Sequence, residues 1–166
     1  VWDQEGNLIA EISYEKGVLQ GKSLSYYPSG RLEKELPYTQ NALSGEALEY
    51  YPSGQLKSKT SYRDGVKEGE SIGYFSKGEV AWIEEYEKGL LKEGRYFDRD
   101  HKTLSGVEGG RGFQAIFQDD LFIRLVEIRR GSPEGAVQNF TSEGVLQSMF
   151  HLKNGKREGE EIEYYL

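Results

Sequence analysis

The sequence predicts an all-β protein: an elongated, single-layer, twisted antiparallel sheet of stacked β-hairpin repeats, each about 24 residues long. Three observations predict this class. The same glycines and tyrosines recur at a fixed spacing, apolar and polar side chains alternate within each unit, and turn-forming residues separate the alternating stretches. Because an isolated hairpin is at best marginally stable in water, each unit needs its neighbours.

The clearest unit spans residues 45–68. Residues 46–51 alternate between two faces, as a strand does, and end in a tyrosine pair. Pro52–Gly54 then predicts a loop, because proline fixes φ and glycine accepts a positive φ. Residues 55–62 alternate again, and the pair Asp64-Gly65 is typical of a hairpin turn. The unit is therefore two antiparallel strands and two different connections.

The whole chain, residues 1–166, is interpreted as one repeat array. Its predicted copies lie near residues 1–20, 21–44, 45–68, 69–93, 94–111, 112–134, 135–158 and, in part, 159–166. The fifth copy departs most from the pattern, and its glycine-rich stretch, Gly106–Gly112, is interpreted as a flexible connection. Because the chain begins at Val1 and ends one strand into a copy, we expect it to be part of a longer protein.

Composition excludes several classes of function. The 166 residues carry a formal net charge of −7, which disfavours binding to nucleic acid or to anionic lipid surfaces. No cysteine is present, so disulfides, thiolate catalysis and cysteine-ligated zinc are excluded. No apolar run is long enough for membrane insertion in this segment. A cytoplasmic location and an exported one are both consistent with this composition.

We expect no catalytic, cofactor-binding or metal-binding residues. Two serines, Ser29 and Ser53, occupy equivalent Pro-Ser-Gly turns, so their recurrence indicates a requirement of the loop rather than a nucleophile. The two histidines, His101 and His151, lie in different copies and far from a triad arrangement. The loop 98–101 offers oxygens and a nitrogen to a cation, but an Asp-rich hairpin loop is the simpler explanation. Glu84 and Glu85 are adjacent on a strand, so they point to opposite faces and cannot act as an acid–base pair.

Two surfaces are candidates for binding a partner. The predicted strand 121–128 is apolar on both faces. One of those faces is either covered by the glycine-rich stretch or available to another molecule. The residues proposed for partner binding or self-association are Phe117, Phe122, Ile123, Leu125 and Val126.

The second candidate surface is a row of equivalent aromatic residues at one offset of the repeat. The row consists of Tyr27, Tyr51 and Phe75. Such a row either holds the sheet together or binds an extended peptide that spans several repeats. The open edges of the sheet offer a further route to self-association.

The recurring Tyr-Tyr-x-x-Gly-x-Leu, Tyr-x-x-Gly and Gly-Glu patterns resemble MORN repeats, in the bacterial variant found in antitoxin-like proteins of the YwqK type. The resemblance is strong over residues 21–89 and 135–159 and weak between them. It implies stacked antiparallel hairpins without catalytic residues. Known MORN arrays serve as scaffolds, as protein-binding surfaces or, in some eukaryotic proteins, as proposed membrane contacts.

The expected function is a non-enzymatic protein-interaction or scaffold module, antitoxin-like in its resemblance, with another protein as the partner. The acidic charge favours either solubility alone or a basic partner. The alternative is a cell-surface module that binds choline or glycans, because those modules are also built from short aromatic hairpins. Those modules have a shorter repeat and rely on tryptophan, whereas this chain contains only Trp2 and Trp82. An enzyme is the least supported class.

Overall fold

A computed structural model describes residues 1–165. The strands, in chain order, are β1 (Ala10–Glu11), β2 (Tyr14–Glu15), β3 (Val18–Leu19), β4 (Gly21–Tyr26), β5 (Leu32–Thr39), β6 (Ala42–Leu43), β7 (Gly45–Tyr50), β8 (Leu56–Arg63), β9 (Val66–Tyr74), β10 (Val80–Glu87), β11 (Leu90–Phe97), β12 (Thr103–Glu108), β13 (Arg111–Gln118), β14 (Leu121–Arg129), β15 (Ser132–Phe140), β16 (Leu146–Lys153) and β17 (Lys156–Glu163). Within the described range no residue is helical, and the predicted all-β class is confirmed.

The strands form one long, open, antiparallel sheet. Its order is β1-β4-β5-β7-β8, and from β8 to β17 every strand pairs with the next one in the chain. The short strand β6 pairs with β5, and β2 and β3 form a small separate hairpin. The predicted stack of hairpins is therefore confirmed, and almost every pairing is local in sequence.

Two-residue turns with positive φ close one edge of the sheet. In the turn Asp64-Gly65 the φ angles are 49° and 83°, as the favoured hairpin turns require. The backbone N–H of Gly65 also donates to the carbonyl oxygen of Leu43 at 2.8 Å, and the N–H of Gly89 donates to that of Lys67 at 2.9 Å. Each of these turns is thus bonded to the preceding repeat.

Tyrosine hydroxyls link the longer loops along the opposite edge. Tyr27 donates its hydroxyl to the carbonyl oxygen of Tyr50 at 2.6 Å, and Tyr51 donates to that of Tyr74 at 2.8 Å. At the next equivalent position stands Phe75, which has no hydroxyl to donate. The series of tyrosine links therefore stops at the fourth copy.

The repeat length changes after that point. Within residues 1–165 the turns end at Gly17, Asn41, Gly65, Gly89, Gly110, Gly131 and Gly155, so successive spacings are 24, 24, 24, 21, 21 and 24 residues. In the first short unit the second strand, β12, has six residues, whereas the equivalent strand β8 has eight. The second replaces the longer loop by a turn centred on Asp119 and Asp120, with Asp119 at a φ of 52°.

The prediction of a flexible connection at Gly106–Gly112 is wrong. Gly106 lies in β12 and Gly112 lies in β13, with a turn between them. Gly112 has a φ of +140°, and a β-carbon there would overlap the carbonyl oxygen of Gly106. Glycine is required at this position because two backbones approach closely, not because the chain is loose.

The sheet curls at this point. Strand β12 pairs with β13 only at Val107↔Gly112 and Glu108↔Arg111, whereas β13 pairs with β14 along its whole length. Beyond that short contact, side chains of β13 reach those of β10, and the rings of Phe117 and Trp82 stack with centroids 5.9 Å apart. The curl encloses the main hydrophobic cluster, which consists of Tyr86, Leu91, Tyr96, Val107, Ala115, Val126, Ile128 and Val137.

Candidate partner-binding groove

Three of the eight residues proposed for partner binding meet in one aromatic cluster. Phe75 packs edge-to-face on Phe117 with ring centroids 5.5 Å apart, and Phe117 packs on Phe122 at 6.1 Å. Phe122 in turn contacts Phe140 at 4.9 Å. The curl thus joins a member of the aromatic row to two residues of the proposed apolar surface, although sequence reasoning assigned them to separate surfaces.

The other five residues lie elsewhere. Val126 is buried in the main hydrophobic cluster, and Leu125 packs against that cluster. Ile123 lines a different groove, beside the last strand. Tyr51 is buried and Tyr27 is half-buried, and both hydroxyls are bonded to the next repeat.

The clustered phenylalanines form the floor of a groove at the loop edge of the sheet. We call it the aromatic groove: it has a volume of about 490 Å³ and is lined by Phe75, Asp98, Arg99, Asp100, Leu104, Phe117, Asp120, Leu121, Phe122, Ser142, Glu143 and Gly144. Leu104 and Leu121 are exposed at its walls. Four carboxylates and one guanidinium surround this apolar floor, so the rim is acidic.

Asp120 ties the turn between β13 and β14 to the fourth and fifth copies. Its carboxylate accepts hydrogen bonds from the backbone N–H of Ser76, at 2.7 Å, and from the Ser76 hydroxyl. The guanidinium of Arg99 lies 3.3 Å from the same carboxylate. Burial alone would raise the pKa of Asp120, but the bonds from Ser76 and the charge of Arg99 hold that pKa below its usual value.

Further charged residues hold the same turn where it meets the third and fourth copies. The ammonium of Lys57 lies 2.9 Å from Asp119, so the loop also contacts the third copy. Burial, Asp120 and Asp119 together raise the pKa of Tyr51 to about 12, which keeps its hydroxyl protonated as a donor. The groove is therefore built on loops that residues from several copies hold in place.

Sequence reasoning missed Leu104, Leu121 and Asp120 as groove residues. Asp120 contacts Ser76, which is 44 positions away, and no local pattern reports such a contact. The only available signal was the Asp119-Asp120 pair, which stands where other copies have a longer loop.

The loop 98–101 is organised by its own backbone. The carboxylate of Asp98 accepts bonds from the backbone N–H groups of Asp100, at 2.9 Å, and of Lys102, at 2.8 Å. These bonds are typical of a capped turn. Throughout residues 1–165, no three histidine, aspartate or glutamate side chains are grouped as a metal site requires.

A family model described as "MORN repeat variant" matches residues 19–40 and 43–64. These two stretches are MORN repeats. The two matched stretches are adjacent copies in the regular part of the sheet, and the resemblance inferred from the tyrosine and glycine pattern is confirmed there. No curated protein matches the chain.

MORN repeats form a non-catalytic repeat module, consistent with protein or membrane interaction. Residues 1–165 contain no helix that is long and apolar enough to cross a membrane. The aromatic groove lies outside the two matched copies, and its lining comes from the fourth to the seventh copies.

Proposed function

We propose that this chain is a non-enzymatic protein-interaction module that binds an extended, basic segment of another protein in the aromatic groove. The observation that carries the proposal is the acidic rim around an apolar floor. Its lining includes the carboxylates of Asp98, Asp100, Asp120 and Glu143, against the single guanidinium of Arg99.

The chemistry of the rim selects a basic partner. Complementary charges steer association and discriminate against wrong partners, and the chain as a whole carries a net charge of −7. The floor of Phe75, Phe117 and Phe122 supplies apolar area for an anchoring side chain, as in the centre of a typical interface. We therefore expect an apolar anchor next to lysine or arginine. Neutralisation of a partner protein, in keeping with the antitoxin-like resemblance, is one form of such binding.

A random-peptide display selection against the purified protein tests the proposal. Selected peptides should be enriched in lysine and arginine next to an aromatic or aliphatic residue, and their binding should weaken as salt is added. Leu121→Lys places a cation on the groove wall and should weaken the selected peptides by at least about tenfold.

The matched control is Val66→Lys at the turn edge of the sheet. Val66 and Leu121 are both 46% exposed, so the two substitutions are equivalent in exposure and in charge. The proposal is wrong if the selected peptides are not basic, or if Val66→Lys weakens binding as much as Leu121→Lys does.

A further inference from the structure

A second groove, which we call the polar groove, lies on the sheet beside the aromatic groove. It has a volume of about 400 Å³ and is lined by Glu49, Lys57, Ser58, Thr60, Tyr62, Lys67, Ser71, Trp82, Glu84, Gln114, Ala115, Ile116 and Phe117. Phe117 is the residue that it shares with the aromatic groove. Unlike that groove, it contains a buried carboxylate.

The carboxylate belongs to Glu84, whose side chain is held by three donors. Its Oε1 accepts from the hydroxyl of Tyr96 at 2.8 Å and from Nε2 of Gln114 at 2.7 Å. Its Oε2 accepts from the hydroxyl of Tyr86 at 3.0 Å. Because all three partners act as donors, this arrangement suits the ionised carboxylate.

Glu84 is only 4% exposed. A buried carboxylate is costly unless a cation compensates it, yet within residues 1–165 no lysine, arginine or histidine nitrogen lies within 4.0 Å of it. An ionised carboxylate accepts about four hydrogen bonds, so Oε2 has capacity for one more donor.

The ammonium of Lys67, which also lines the groove, stays outside that position. The ammonium of Lys67 donates to the hydroxyl of Tyr86 at 3.3 Å and lies 4.5 Å from the centroid of the same ring. Tyr86 therefore stands between Lys67 and the carboxylate. This contact also demonstrates that the groove accommodates an alkylammonium against an aromatic ring.

We infer that the polar groove binds a primary alkylammonium group, which donates to Oε2 of Glu84 while its methylenes pack against Trp82 and Tyr62. Both aromatic residues line the groove and are half-buried, so they retain surface for an alkyl chain. The group belongs either to a lysine side chain of a partner or to a small free amine.

Titration of the full chain with n-butylammonium, followed by NMR, tests this inference. We expect saturable shifts of the Gln114 side-chain amide and the Trp82 indole N–H, with a dissociation constant of roughly millimolar size. The neutral isostere n-butanol should produce at least about tenfold weaker binding, because it lacks the charge.

Glu84→Gln should abolish the saturable shifts, whereas Glu85→Gln, a change on the neighbouring exposed residue, should preserve them. The comparison of butylammonium with butanol uses the unmodified protein, so it decides the question even if Glu84→Gln fails to fold. Equal binding of the two ligands, no saturable shift, or equal loss in both variants would overturn the inference.

A capped peptide with a single central lysine separates the two sources of the amine. Tighter binding of the peptide than of butylammonium assigns the site to a protein lysine, and equal binding assigns it to a small amine. Leu121→Lys should leave this titration unchanged, so failure of the aromatic groove and failure of the polar groove can be told apart.

Discussion

Replacing Gly112 by alanine adds one carbon at the point where β12 and β13 approach most closely. The new β-carbon would overlap the carbonyl oxygen of Gly106 and lie 3.0 Å from Cα of Val107, so backbone rather than a flexible side chain must move. The φ of +140° adds a strain of about 1–3 kcal/mol for a residue with a β-carbon. Overpacking adds about 1–3 kcal/mol more. We therefore expect a loss of about 2–6 kcal/mol in the free energy of unfolding.

Gly144→Ala is the matched control. Gly144 also has a positive φ, of +78°, but no atom lies within 4 Å of the position of its β-carbon. It should lose only the strain, about 1–2 kcal/mol. The assay is urea unfolding followed by tryptophan fluorescence, because Trp82 contacts the curl through Phe117. If the two variants lose the same stability, the close approach of the backbones is not a constraint and our account of the curl fails.

Two further predictions concern the links between repeats. Tyr51→Phe removes the hydroxyl that donates to the Tyr74 carbonyl and should lower the free energy of unfolding, measured in urea, by about 1–2 kcal/mol. Tyr27→Phe removes the equivalent bond at a less buried position and should lower it by less. A larger loss for Tyr27→Phe than for Tyr51→Phe would contradict our account of the tyrosine links. Asp120→Asn should destabilise the protein at neutral pH. Because the pKa of folded Asp120 lies below its ordinary 3.8, the stabilisation is present above about pH 4 and is lost as the pH falls through the folded value. The difference between wild type and Asp120→Asn should therefore shrink on acidification, and a difference that is constant with pH would mean that the bonds from Ser76 do not depend on the charge.

The regular part of the fold could be predicted because its determinants are local. Alternation over residues 46–51 and 55–62 specifies two strands, and the Pro52–Gly54 and Asp64-Gly65 segments specify the connections. Pairing then follows the chain order, since each strand finds its partner in the adjacent hairpin. Nothing in this stretch requires knowledge of distant contacts.

The prediction of a flexible connection at the glycine-rich stretch, residues 106–112, failed for a physical reason. Glycine is used both where a chain is loose and where two backbones come too close for a β-carbon, and composition does not distinguish the two. Gly109 has open space at its β-carbon position, whereas Gly112 has the oxygen of Gly106 there. Only the pairing of β12 with β13 separates these cases.

The candidate site was only partly predictable for a related reason. Phe122 stands out as a large apolar residue on a strand that is apolar on both faces, Phe117 as an aromatic residue on the preceding strand, and Phe75 by its offset in the repeat. Their meeting depends on the curl, which brings the ring centroids of Phe75, in the fourth copy, and Phe117, in the sixth, to 5.5 Å from each other. A period count alone places these residues on separate surfaces.

The irregular copies are what distinguish this sheet from a plain ribbon. Where the spacing stays at 24 residues, each hairpin contacts chiefly its neighbours and its faces stay open. Two successive units of 21 residues shorten the path around the curl, so that the turn at Asp119 and Asp120 reaches Lys57 and Ser76. Both grooves lie at this junction, and Phe117 lines each of them. The departures from the repeat therefore bring the irregular copies against the third and fourth copies, and substitutions that affect binding should concentrate along this contact, on both sides of it.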